Sequence, residues 1–298
     1  MTILLLGADG QLGWHLRTEL ASLGPLRAVT RQGRGDDLAC DLSLPGEVTA
    51  LLQAHRPSLI VNAAAYTAVD AAETDEATAT QVNGELPGLL GRLAAGWGGR
   101  VIHYSTDYVF DGQSRRPYRE SDPVAPLNAY GRSKLAGEQA LASSGADHVI
   151  LRTAWVYSLR GRNFLTTMLR LAGERDHLRV VDDQFGCPTS ASFIARATRR
   201  VAENEMHGKA DASGVYHLVC GNQTTWHGFA SAIMEGAARR NLLTAMPRVE
   251  RVATSVYPTP ARRPPYSVLD SHRFTSTFDF QMPDWRDELD RVLDAAER

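Results

Sequence analysis

The 298-residue sequence predicts an α/β fold, a Rossmann-type doubly wound parallel sheet with a smaller α/β substrate-binding domain attached. Three observations predict it. The chain opens on an apolar strand that runs directly into a glycine loop and an amphipathic helix. Further continuous apolar runs recur with helical stretches between them, as in sheets buried on both faces. After about residue 150 the alternation loosens and inserts appear. The expected division is therefore a nucleotide-binding domain over residues 1–150 and a mainly substrate-binding domain over 151–298, some of whose segments return to the first.

The first unit carries the most information. Thr2-Ile3-Leu4-Leu5-Leu6 is followed at once by Gly7-Ala8-Asp9-Gly10-Gln11-Leu12-Gly13. Leu12, Leu16, Leu20 and Leu23 then recur at helical spacing, and Gly24 offers a stop. Strand, glycine loop and helix in this order is the context a dinucleotide site demands. Gly7, Gly10 and Gly13 permit a tight turn and close backbone approach, and the helix N-terminus faces the pyrophosphate.

Leu26 to Thr30 reads as the second strand. The residue at its tip ordinarily meets the adenosine ribose, and an acid there favours NAD. Here Thr30 and Arg31 stand at that place with Arg34 close by. A guanidinium suits a 2′-phosphate, so NADPH is the expected cofactor, with NADH open as the alternative. Pro57 to Ala65 reads as a third buried strand ending in Ala63-Ala64-Ala65, whose small side chains let backbone approach a ligand. Tyr66 to Asp70 opens a helical region whose acids Asp70, Glu73, Asp75 and Glu76 read most simply as a solvated face. Arg100 to Thr106 is a fourth strand, within which His103 reads as a core histidine.

Tyr130 and Lys134 lie four residues apart in the helical stretch Asn128 to Glu138, hence on one face. An ammonium beside a phenol favours the phenolate and should lower the Tyr130 pKa from its ordinary value. Such a phenol can exchange a proton at working pH. Thr106, at the strand end, completes a set in which a hydroxyl polarises a carbonyl and the phenol supplies its proton. A Ser–His–Asp hydrolase is disfavoured, since no G-x-S-x-G elbow occurs. Pro258-Thr259-Pro260-Ala261-Arg262-Arg263-Pro264-Pro265 is stiff and basic, which suits either a linker or a clamp on acidic groups.

Composition bounds the partners. The chain is 43% hydrophobic and 22% charged with net charge −2, enough for a large core and without the basic stripe of a nucleic-acid binder. Cys40, Cys187 and Cys220 are odd in number and far apart, so neither a disulfide framework nor a C-x-x-C metal site follows, and a reducing cytoplasm is expected. Thr2–Leu6 is only a strand long and has no basic flank, unlike a signal peptide. No apolar run approaches ~18 residues, so a membrane span is not expected.

These residues together resemble the extended short-chain dehydrogenase/reductases, and within them the dTDP-4-dehydrorhamnose reductase family. The likeness runs nearly end to end. It rests on Gly10-Gln11-Leu12-Gly13, Val61-Asn62-Ala63-Ala64-Ala65, Tyr104-Ser105-Thr106-Asp107-Tyr108-Val109-Phe110 and Pro126-Leu127-Asn128-Ala129-Tyr130-Gly131. It continues in Arg152-Thr153-Ala154-Trp155-Val156-Tyr157, Asp183-Gln184-Phe185-Gly186 and Pro258 to Pro264. The resemblance implies hydride transfer to C4 of a 6-deoxy-4-keto-hexulose on dTDP, giving dTDP-L-rhamnose, a precursor of bacterial surface polysaccharide such as lipopolysaccharide. It implies Tyr130 as proton donor, Lys134 as its partner and Thr106 as the carbonyl-binding hydroxyl. Gly10, Gln11, Leu12, Asp41, Leu42, Ala63, Ala65, Tyr66, Thr67 and Tyr104 would line the cofactor together with Tyr130 and Lys134. Asp107, Trp155, Asn163 and Arg263 would join Thr106 on the substrate. The partner expected is a dTDP-sugar, and the family leaves room for a homodimer. A nucleotide-sugar dehydratase would carry glutamate where Tyr108 stands, and a non-catalytic regulator would have lost Thr106, Tyr130 or Lys134. Some relatives hold magnesium through glutamates near the helix that starts around Ala191. Ser190-Ala191-Ser192-Phe193 has no carboxylate, so no metal is expected.

Overall fold

The apolar runs Ile3–Leu6 (β1) and Leu59–Asn62 (β4) are buried at every position, as strands covered on both faces must be. In the computed structural model, which describes residues 1–206 and 212–297, they lie side by side in a seven-stranded parallel sheet. Leu26–Thr30 (β2) and the two-residue edge Leu38–Ala39 (β3) extend it on one side. Arg100–Thr106 (β5) and His148–Thr153 (β6) extend it on the other. The chain thus runs outward from β1 to β3, then crosses back to β4. Ligands bind in α/β sheets at such a reversal, outside the carboxyl ends of the two central strands.

Most later strands pair off in two-stranded sheets. Val156–Tyr157 (β7) pairs with Thr189–Ser190 (β10), His177–Val181 (β8) with Arg248–Val252 (β13), and Phe185–Gly186 (β9) with Thr224–Thr225 (β12). Gly214–His217 (β11) instead returns to the large sheet as the neighbour of β6, giving the order β11-β6-β5-β4-β1-β2-β3.

Helices Gln11–Leu20 (α1), Pro45–His55 (α2), Glu76–Thr80 (α3), Leu86–Ala95 (α4) and Ala129–Ala142 (α5) belong to the first half. Phe164–Glu174 (α6), Ala191–Met206 (α7), Trp226–Arg239 (α8), His272–Phe278 (α9) and Trp285–Asp294 (α10) belong to the second. A π-helical turn, Gln81–Glu85, joins α3 to α4. One apolar core runs from β1 and α1 through Phe193 and Ile194 of α7 to Trp285 and Leu293 of α10. Among the described residues no helix is long and apolar enough to cross a membrane.

The strand predicted over 57–65 is only four residues long, because Ala63, Ala64 and Ala65 leave the sheet beyond its carboxyl end. Of the acids read as a solvated face, Glu73, Asp75 and Glu76 are exposed, and two of them also bond to the start of α5. Glu73 Oε1 accepts the Ala129 N–H at 2.8 Å at the start of α5, and Glu76 takes Arg132 in two hydrogen bonds of 2.9 and 3.0 Å. They dock the α3 region onto α5.

Candidate active site

The glycine loop is built for an anion. Gly10 is the N-cap of α1 without any side-chain cap, and the first turn carries no acid, so the first N–H groups stay free at the positive end of the helix dipole. Gly7 has φ +71°, and a Cβ there would sit 2.7 Å from Ala64 N. A Cβ on Gly13 would meet Gly7 O at 2.1 Å, so helix and loop close together only with glycine. The free N–H groups and the bare backbone fit a dinucleotide pyrophosphate.

At the tip of β2 the Thr30 hydroxyl accepts the Gly33 N–H at 3.1 Å and is buried. The Arg31 side chain is 74% exposed and reaches Asp41 Oδ1 only at 3.3 Å. Hydrogen bonds from Ser43, the larger influence, and the Arg31 charge keep the Asp41 carboxyl low. Leu42 packs against the core cluster that includes Leu4, Val29 and Ile60. These groups cluster beyond the carboxyl end of β2, where a guanidinium and backbone N–H groups could hold an anion.

On the same carboxyl-end side of the sheet, β5 ends at Thr106 and α5 begins at Ala129. Asn128 is the N-cap of α5 and accepts the Gly131 N–H at 2.8 Å, so Tyr130 stands in the first turn. Thr106 Oγ1 donates to Asp107 Oδ1 at 3.0 Å and accepts the Tyr108 N–H at 3.2 Å, and its hydroxyl lies close enough to the Tyr130 phenol to favour the ionised form. Burial pushes the Tyr130 phenol up to about 12, with Asp107 adding to the rise and Thr106 opposing it. This corrects the expectation of a lowered phenol. Desolvation outweighs any help from the lysine, and Tyr130 stands as a protonated acid. Lys134 is 2% exposed, and burial lowers its ammonium to about 8 while Glu138 pulls it back upward. His103 is a core histidine, fully buried with Nδ1 3.1 Å from Asn62 Nδ2. Burial first, then Lys134, holds its pKa well below the ordinary value.

The rim between β4 and α3 is fixed by a residue that sequence reasoning missed. Asn83, fully buried in the π-helical turn, accepts the Tyr66 N–H at 2.9 Å and donates to Tyr66 O and to Ser133 of α5, both at 3.0 Å. It sets the Tyr66 backbone, between Ala65 and Thr67, against the helix that carries Tyr130. An asparagine inside a helical pattern gives no signal of this. Asn128 is legible, standing just before the helix as a cap should.

The Pro258–Pro265 stretch is a strap docked on the first half. Asp70 takes Arg263 through two hydrogen bonds of 2.5 and 2.7 Å and also accepts the Ala261 N–H at 3.1 Å. Asn128 Nδ2 donates to Arg262 O at 2.8 Å. Arg263 also engages Tyr108, whose ring meets that of Tyr130 edge-on with centroids 6.1 Å apart. The strap's guanidinium therefore ends beside the Thr106–Tyr130 pair, held by an acid of the first half.

Other expected residues sit at different distances from this centre. Trp155 has φ +47°, a strained value for a bulky residue, and stacks on Trp226 with centroids 3.6 Å apart. Asn163 caps α6, and its amide donates to Gln11 Oε1 at 2.6 Å and to Ser158 O at 2.8 Å. It links the glycine loop to α6. Tyr104 is buried with its hydroxyl 2.8 Å from Thr198 Oγ1 of α7, so the phenol is turned into the core. The carboxylate missing from Ser190–Phe193 is supplied by Glu288 of α10, which accepts from Ser190 at 2.6 Å, Ser192 at 3.2 Å and Arg196 at 2.8 Å.

The sequence matches the model of the RmlD substrate binding domain over residues 1–298. It is 47% identical over 293 residues to a dTDP-4-dehydrorhamnose reductase of Burkholderia thailandensis, covering 96% of each chain. It is 45% identical over 296 residues to the enzyme of that name from Escherichia coli K12, covering 98% of this chain and 97% of that one. A solved dTDP-4-dehydrorhamnose reductase from Clostridium acetobutylicum superposes with TM-score 0.90 at 31% identity, covering 100% of both chains. One from Bacillus anthracis, solved in complex with NADP, superposes with TM-score 0.89 at 30% identity, covering 99% of this chain and 100% of that one. The chain belongs to the RmlD substrate-binding-domain family.

Proposed function

We propose that the chain is an NADPH-dependent dTDP-4-dehydrorhamnose reductase, which reduces the C4 ketone of dTDP-6-deoxy-L-lyxo-4-hexulose to dTDP-L-rhamnose. The observation that carries it is Thr106 beside Tyr130 with Lys134 buried one turn along, at the same end of the sheet as the uncapped α1 N-terminus. Bound NADPH supplies the hydride. Thr106 donates to the ketone oxygen, and Tyr130 gives its proton to that oxygen as negative charge develops there. The Lys134 ammonium favours the phenolate left behind. The backbone at Gly10, Gln11 and Leu12 holds the pyrophosphate, Arg31 the 2′-phosphate, and Ala65, Tyr66 and Thr67 border the nicotinamide end.

Trp155 offers an aromatic wall and Arg263 a guanidinium on the substrate side. The division near residue 150, a homodimer and a cytoplasmic location belong to the same reading. The test is loss of the reduced-nicotinamide absorbance of NADPH on mixing with epimerised dTDP-4-keto-6-deoxy-sugar. Turnover forming dTDP-L-rhamnose supports the reading, and none with either NADPH or NADH overturns it.

A further inference from the structure

The loop between β2 and β3, residues 31–37, carries two guanidinium groups suited to an anion. Arg31 is exposed and loosely paired, and Arg34, also exposed, donates to the neutral Gln32 amide oxygen at 2.7 Å. The backbone is left-handed twice here, at Gly33 (φ +59°) and Gly35 (φ +62°). Two glycines give such a loop wide freedom once it is released, and that entropy opposes placing its arginines on a ligand. One side chain of α1 restrains it. Arg17 Nη1 and Nη2 donate to the two carboxylate oxygens of Asp37, at 2.7 and 2.5 Å. Its Nε donates to Ala8 O, in the glycine loop, at 2.9 Å. A single planar fork therefore ties the 31–37 loop to the glycine loop.

We propose that Arg17 and Asp37 are positioning residues for cofactor selectivity, holding Arg31 and Arg34 at a fixed spacing from the pyrophosphate site so that a dinucleotide with a 2′-phosphate is favoured. This role rests on the NADPH reading. Backbone bonds bracket the clasp on either side. Ala8 N–H donates to Val29 O at 3.1 Å, and Gly33 N–H donates to the Thr30 hydroxyl at 3.1 Å. With 29% and 15% of the two side chains exposed and two parallel bonds between them, the pair differs from a screened surface contact. It also neutralises a carboxylate that would otherwise repel a phosphate from within the same loop, and the Asp37 carboxyl is held low chiefly by its bonds to Arg17. Arg17 is committed through all three guanidinium nitrogens, so it acts through the loop. Lysine cannot take its place, because a point charge does not span two carboxylate oxygens and a carbonyl in one plane.

The experiment measures Kd by calorimetric titration for wild type and Arg17→Lys, which keeps the charge and loses the fork. The ligands are NADPH and NADH, together with 2′,5′-ADP and 5′-AMP as fragments that carry or lack the phosphate. In Arg17→Lys the preference for NADPH over NADH, and for 2′,5′-ADP over 5′-AMP, should fall about fivefold or more. A merely structural pair would weaken both members of each set alike and lower the melting temperature. Ratios equal to those of wild type therefore overturn the positioning role, whatever happens to stability. The wild type separates this failure from that of the reading beneath it. If wild type binds 2′,5′-ADP no more tightly than 5′-AMP, the NADPH reading falls and the role of Arg17 falls with it.

Discussion

Lys134 and Glu138 occupy successive turns of α5, and both are almost wholly inside the protein, at 2% and 4% exposure. They are treated in opposite ways. Glu138 accepts two hydrogen bonds from Arg152 of β6, at 2.9 and 2.7 Å, and the guanidinium also lies 5.2 Å from the Phe110 ring. Lys134 makes no ion pair among the described residues. The matched pair fixes where α5 sits on the sheet. The unmatched ammonium keeps its charge available for whatever enters the cleft, and its pKa drops accordingly. Under the proposed function, partners tell the structural charge from the functional one, since burial is the same for both.

The comparison breaks most sharply at Tyr130. Tyr130→Phe keeps the ring and removes only the proton-bearing hydroxyl, so kcat should fall by roughly 10²–10⁴ while NADPH still binds. A variant retaining more than about a tenth of wild-type kcat sinks the assignment. Glu138→Gln tests the other turn. It strands the Arg152 charge in the core, and breaking a buried pair in this way costs about 3–5 kcal/mol. Thermal unfolding should therefore come at a markedly lower temperature, with kcat of the folded fraction close to wild type. Unchanged stability with lost turnover would reverse the roles assigned to the two turns.

The pH response sharpens the contrast further. The Lys134 pKa is lowered from 10.5 to about 8. Between those values the unfolded chain binds a proton that the folded chain has released, so this residue makes stability rise with pH across the window. Activity, which needs the ammonium, should fall across the same window. Parallel measurement of melting temperature and kcat/KM over that window checks the sign. Lys134→Met should abolish the rise in stability attributable to this group, and a rise that persists unchanged in the variant refutes it.

The fold is legible in the sequence because its signals are local. Apolar runs at Ile3–Leu6 and Leu59 to Val61, the glycines between β1 and α1, and the spacing of Tyr130 and Lys134 each lie within a few residues. What escapes depends on partners far apart in the chain. Asp70 reads as a solvated acid until Arg263 arrives, and Asn83 as an ordinary helix residue until Tyr66 and Ser133 close around it. The phenol pKa escapes for a related reason. Spacing reveals the lysine, but desolvation depends on everything else that packs over Tyr130.

The smallest expected effect comes from the two arginines read from sequence as anion binders. Arg263 is held by Asp70 through both its terminal nitrogens, with 18% of its side chain exposed. Arg31 is 74% exposed and touches Asp41 only at 3.3 Å. An exposed pair of that length contributes about 0–1 kcal/mol to stability, so its fork is free to turn toward a phosphate. A charge-assisted hydrogen bond to phosphate is worth about 1.5–3 kcal/mol, which corresponds to at least about tenfold in affinity. Arg31→Ala should therefore raise KM for NADPH at least about tenfold relative to KM for NADH, with melting temperature unchanged. The loss should shrink as ionic strength rises, since the contact lies in solvent. An NADPH-to-NADH preference identical in variant and wild type removes Arg31 from the cofactor site and leaves Thr30, Asp41 and the loop backbone to set the preference.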